Sequence, residues 1–143
     1  MTWIDPLVTP PIDNQRVLAK RADGVVEIMT YCKPIMNPYG DNEWADAKQI
    51  RHRLDYVLYW DFLDVTPTAT SPYQWIQLNG FPVPEDIRVI ISDVSNYQEI
   101  CRMIKLVRLD YYGNEYVEHR FIDDIGFVYP TQMVAYWRNI PNN

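Results

Sequence analysis

The residues from Trp3 to Leu18 recur, at a constant offset of 72, as the residues from Trp75 to Ile90. Trp3 matches Trp75, Ile4 matches Ile76, Pro10 matches Pro82, Arg16 matches Arg88 and Val17 matches Val89, with Asp13/Glu85, Asn14/Asp86 and Leu18/Ile90 as near matches. The ends repeat as well. Val57, Tyr59 and Trp60 answer Val134, Tyr136 and Trp137 at an offset of 77, so the second copy is five residues longer. Internal repetition of this kind indicates a supersecondary unit too small to close its own core, stacked on a second copy. A pseudo-twofold arrangement is the natural expectation. Between the anchors, Tyr39, Gly40, Asn42 and Glu43 resemble Tyr112, Gly113, Asn114 and Glu115, which sets Trp44 opposite Tyr116.

Each copy reads as about four strands. Gln15 to Lys20 and Val25 to Tyr31 flank the turn-prone Asp23-Gly24 and predict a hairpin. Ile87 to Asp93 and Cys101 to Tyr112 repeat it across a longer polar connection. Glu43 to Ala47 with Tyr56 to Phe62 completes the first unit, and Glu115 to Ile122 with Met133 to Ile140 the second. Ala45 to Leu54 is rich in helix formers and admits one short helix of two turns. Val65 to Tyr73 has the Pro, Thr and Ser composition of a linker. The expected fold is therefore mainly β: two similar four-stranded antiparallel units, residues 1–66 and 74–143, joined by a linker at 67–73 and packed with pseudo-twofold symmetry into one domain.

A formal charge of −6 works against unaided nucleic-acid binding, which rests on neutralising phosphates with Lys and Arg. No run approaches the roughly 20 apolar residues that span a bilayer, and the start MTWIDPLVTPP lacks the basic and apolar regions of a signal peptide. These features predict a protein that avoids membranes and works in the cytoplasm of its producing cell. Cys32 and Cys101, at non-equivalent places in the repeats, read as buried free thiols.

Trp-Ile, then Pro, then Arg-Val-Leu, then a β meander closing on an aromatic-Trp pair, resembles a family of uncharacterised small proteins common in bacteriophages and prophages. That family reads W-I-x-L-x-x-x-L-P-x-x-G-x-x-V-L near its start and H-W-x-P-L-P at its end. The matching residues are Trp3, Ile4, Pro10, Arg16, Val17, Leu18 and Trp60, and again Trp75, Ile76, Leu78, Pro82, Arg88, Val89, Ile90, Trp137 and Pro141. Tyr59 and Tyr136 stand where the family has His, and a member is usually one unit rather than a fused pair. The resemblance implies a phage accessory gene and a working place inside the infected bacterial host.

The chain carries no motif for catalysis or for a cofactor. Two histidines, His52 and His119, lie in unlike contexts, neither cysteine forms a zinc-type spacing, and five glycines leave little material for a phosphate loop. Asp123-Asp124 and Asp61 with Asp64 read as solvated turn residues, and Lys48, Arg51, His52 and Arg53 as a solvated basic face. Trp3, Trp75, Trp60 and Trp137, with Arg16 and Arg88, are expected to be structural anchors. Trp44, Tyr116, Tyr39 and Tyr112 lie in polar settings and are the candidates for a partner-binding surface.

The expected function is that of a non-enzymatic phage protein binding a host or defence-system protein, without metal or cofactor. DNA mimicry is a special case, set back by the 13 interspersed basic residues. One alternative is a sponge for a nucleotide signal, with Arg51, Arg53 or Arg88 pairing phosphate. Another is a virion component, and the oligomeric state is open. The surface is to be sought where the copies diverge: Tyr31 to Asp46, Asp93 to Cys101 and Tyr116 to Thr131.

Overall fold

The computed structural model describes residues 3–63, 75–78 and 83–141. The linker expected at 67–73 lies outside them, as do Asp64 and Pro82. The chain divides into two compact units, Met1–Asp64 with Pro141–Asn143, and Val65–Ile140. Both are antiparallel sheets.

In the first unit, β1 (Gln15–Arg21) and β2 (Val26–Cys32) form the expected hairpin. Alternation along β1 sends Val17 and Ala19 to one face, where Met29, Trp44, Val57 and Trp60 join them in an apolar core. Two short strands, β3 (Glu43–Ala45) and β4 (Arg51–His52), extend the sheet beyond β2. A 3₁₀ turn at Leu54–Tyr56 leads into β5 (Val57–Phe62), which pairs with β1 on the other side, and Ile4 bridges to Trp60 outside it.

The second unit comprises β6 (Ile76–Gln77), β7 (Arg88–Asp93), β8 (Gln98–Leu109), β9 (Glu115–Asp123), β10 (Val128–Pro130) and β11 (Val134–Asn139). Its order, β10-β9-β8-β7-β11-β6, repeats the first unit's β4-β3-β2-β1-β5 with the Ile4 bridge at the end. Pairing agrees residue by residue. Val17 lies opposite Met29 and Phe62, and Val89 opposite Cys101 and Asn139. Tyr31 lies opposite Trp44, and Met103 opposite Phe121; Trp44 lies opposite His52, and Phe121 opposite Tyr129. Every equivalence up to β2/β8 carries the offset 72, and every one from β3/β9 onward carries 77. The five extra residues therefore all sit in one place, the connection from β8 to β9.

The turns repeat too. Asp46 Oδ1 accepts from the amides of Lys48 and Ile50, and Asp123 Oδ1 from those of Ile125 and Phe127. In each turn the fourth residue has positive φ, Gln49 at 65° and Gly126 at 92°, the left-handed step of a three-residue hairpin loop. This overturns the helix expected over residues 45–54. The Asp46 carboxylate offers the backbone a turn, and propensity yields to it.

Among the described residues the expected four strands per unit become five and six. The extra ones are two or three residues long, too short to imprint a periodicity. The equivalence of Trp44 and Tyr116 is likewise corrected: the counterpart of Trp44 is Phe121, and both are 0% exposed.

Candidate functional site

Where the first unit crosses from β2 to β3 by the loop 33–42, the second continues as a two-stranded hairpin. β8 and β9 keep pairing past the sheet, through Lys105 opposite His119, Leu106 opposite Glu118, Val107 opposite Val117, Arg108 opposite Tyr116 and Leu109 opposite Glu115. The tip, Asp110 to Asn114, is closed by the same aspartate turn. Asp110 Oδ1 accepts from the amides of Tyr112 and Asn114, and Gly113 takes φ 81°.

Pairing direction assigns the side chains. Val107, Leu109 and Val117 share one face, 68%, 66% and 52% exposed. Arg108, Tyr116 and Glu118 share the other, where Arg108 and Arg120 both pair with Glu118. At the tip Tyr111 and Tyr112 meet edge-on, ring centroids 5.4 Å apart, and are almost wholly exposed. Exposed apolar and aromatic side chains are thus grouped on one element rather than scattered singly.

The loop 33–42 holds the same place in the first unit and carries its own exposed apolar group: Ile35, Met36 and Tyr39. The structure thus brings Tyr112 and Tyr116 together on the hairpin and places Tyr39 on the equivalent loop. Trp44 leaves the candidate set. Its ring packs against Tyr31, centroids 5.0 Å apart, inside the first core, because its position on β3 faces Val17 and Trp60 rather than solvent. Val117 lies in the expected segment Tyr116 to Thr131, while Val107, Leu109 and Tyr111 escaped sequence reasoning. Their signal was the five-residue surplus itself, once assigned to the β8–β9 connection.

Arg51 and Arg53 lie in different surroundings. Arg51 Nη1 donates to Cys32 Sγ at 2.6 Å and to the Lys33 carbonyl at 3.1 Å, which holds the start of the loop. Arg53 lines a cleft of about 550 Å³ together with Asp41, Glu43 and Asp55. Three carboxylates lining the same cleft work against a phosphate there. His52 faces Asp46 at 2.9 Å and stacks on Tyr56, centroids 3.8 Å apart, so Arg51 and His52 are built into the unit, while Lys48 and Arg53 are exposed as expected.

A second hollow, about 380 Å³, lies at the base of the hairpin, lined by Leu78, Met103, His119, Phe121 and Thr131 among others. At the matching places the first unit carries the bulkier Tyr31, Trp44 and Leu54 for Met103, Phe121 and Thr131.

The anchors divide. Trp60, Trp75 and Trp137 are buried, and Trp60 Nε1 donates to the Thr9 carbonyl at 2.8 Å; Trp3 is half-buried, with Lys20 over its ring. Arg88 holds Asp124 through two bonds of 2.6 and 3.2 Å, and Arg16 is half-buried. Asp61 and Asp123, expected in solvent, are buried; Asp123 spends its carboxylate on the turn amides and on the Tyr129 hydroxyl at 3.2 Å.

Both cysteines are buried free thiols, and burial raises their pKa values. Among the described residues no group of three or more His, Cys, Asp or Glu is placed to share a metal ion, and no helix is long and apolar enough to cross a membrane. No family model, curated protein or solved structure matches the chain.

Proposed function

We propose that the protein is a non-enzymatic binding protein of phage origin that engages a protein of its bacterial host through the β8–β9 hairpin, with the loop 33–42 as a second contact. One observation carries the reading. The two units agree in register everywhere except at this connection, and there the longer unit carries six exposed apolar or aromatic side chains within eleven residues, Val107 to Val117. A core that needed only to fold would have no use for them, since Val107 and Leu109 lie beyond the part of β8 that β7 covers. Tyrosines at the tip supply large contact area at small conformational cost.

The phage origin rests on the Trp-Ile and Arg-Val-Leu resemblance, and with it the working place inside an infected cell. The nucleotide-sponge alternative has less support, because Arg51 is engaged by Cys32 and Arg53 stands among carboxylates.

Affinity capture from host lysate with the wild type and with a Leu109→Ser/Tyr111→Ser/Tyr112→Ser variant tests the reading. A host protein retained by the former and lost by the latter is the expected result. Identical captures from both would overturn it.

A further inference from the structure

The hairpin has edges as well as a tip. On its outer side β9 is covered by β10 only where Val128, Tyr129 and Pro130 lie opposite Ile122, Phe121 and Arg120. From His119 to Glu115 no strand among the described residues pairs with that edge. Proteins ordinarily protect such an edge, and an open one is a template for another strand.

The open stretch is Glu115-Tyr116-Val117-Glu118-His119, and Val117 is its midpoint. We infer that this edge pairs antiparallel with the same edge of a second copy, Val117 opposite Val117, to make a four-stranded sheet β8-β9-β9-β8 across a twofold axis.

Three features select that occupant and that register. The first is length. With Val117 at the centre, Glu115 to His119 of one copy spans His119 to Glu115 of the other, and pairing stops where Pro130, which has no N–H to offer, already covers Arg120. A register shifted by one toward the base would need Arg120, which is taken.

The second is side-chain complementarity. Glu115 falls opposite His119 of the second copy, and Tyr116 opposite Glu118, so no like charges face one another. A shift the other way sets Glu115 against Glu118.

The third is the apolar face. Val107 already lies opposite Val117, so the proposed register lines up Val107, Val117 and the same two residues of the second copy in one row across four strands. All four valines gain neighbours that they lack in a hairpin alone, and a two-stranded hairpin is marginal in water. The contact is isologous and closes at two copies. This extends the contact role of the hairpin from its tip to its edge, and leaves Tyr111 and Tyr112 to the host partner.

Sedimentation velocity of the intact chain over a wide concentration range tests the pairing, since five residues per edge make a small interface and a weak dimer. The weight-average mass is expected to rise from 17.0 kDa toward twice that value. Val117→Lys, which opposes two ammonium groups on an exposed position, is expected to raise the dissociation constant at least about tenfold with an unchanged circular dichroism spectrum.

Oxidation of Val117→Cys tests the register without relying on that variant: it is expected to give a covalent dimer, whereas Leu109→Cys is not. A mass constant at 17.0 kDa, a ladder of higher oligomers, or equal cross-linking at both positions would overturn the proposal. Failure of Val117→Cys to form the covalent dimer, with host capture retained, sinks this inference alone; a Val117 dimer whose tip variants capture the same proteins sinks the proposed function alone.

Discussion

Trp44 and Phe121 occupy the same position of their two sheets, Trp44 between Tyr31 and His52, Phe121 between Met103 and Tyr129, and neither exposes any surface. An indole in one core and a smaller phenyl ring in the other are thus alternative fillings of one backbone plan. The difference in bulk is part of what leaves the hollow beside Phe121 in the second unit.

Truncating these two residues should be costly, and truncating Tyr116 cheap. Trp44→Ala and Phe121→Ala are each expected to lose about 3–5 kcal/mol, the usual cost of emptying an aromatic core site. Tyr116→Ala, nearly half exposed, is expected to stay within about 1 kcal/mol. Urea denaturation of the three variants checks the order, and equal losses at Trp44 and Tyr116 would contradict the burial assigned here.

Asp46 predicts an acid-sensitive turn. Burial pushes its carboxyl up, but the hydrogen bond with His52 and the amides of Ile50 and Lys48 outweigh that and hold it below its usual value of 3.8. Because the folded form binds the proton less readily than the unfolded chain, the contribution is complete above the unfolded pKa and is lost as pH falls through the lower, folded value. Wild type and Asp46→Asn are compared by urea midpoint between pH 6 and pH 3. The gap is expected to be wide at pH 6 and to narrow toward pH 3; a constant gap would refute the assignment.

The thiols should be silent in the native protein. Cys101 has no exposed surface and Cys32 is 6% exposed, and burial holds both in the neutral form. Titration with a thiol-reactive chromophore at pH 8 is expected to label neither in buffer and both in denaturant. Rapid labelling of Cys32 would show that its contact with Arg51 opens readily.

Replacing Lys105–His119 by the shorter loop 33–42 should leave the second core standing. Every residue of that core lies outside the excised stretch. A change of melting temperature within a few degrees is expected, since loop length acts on stability only logarithmically. Scanning calorimetry reads it, and collapse of the transition would assign the hairpin a structural task instead.

The offsets 72 and 77 were legible in the sequence because they follow residues whose spacing the pairing enforces: Arg16-Val17-Leu18 on β1, and Tyr59-Trp60 on β5 facing it. What misled was local likeness. Tyr39-Gly40-Asn42-Glu43 resembles Tyr112-Gly113-Asn114-Glu115 through shared turn composition, although the first is a loop and the second closes a hairpin. Carrying the offset 77 back from Trp137 would have met Asp46 with Asp123 and Trp44 with Phe121. Side-chain polarity near Trp44 gave the wrong environment, since Asn42 is itself buried and Asp46 spends its carboxylate on the turn amides and His52. The edge at Glu115–His119 was invisible for a different reason: it depends on where β10 stops, and β10 is three residues long.

The agreement of the two registers on either side of the β8–β9 connection has an evolutionary consequence. Length added there leaves every other strand pair in place, so this junction is free to acquire, lose or exchange an arm while the scaffold stays constant. A protein built in this way changes its partner by rewriting one cassette, and the shorter loop of the first unit is a second cassette open to the same traffic.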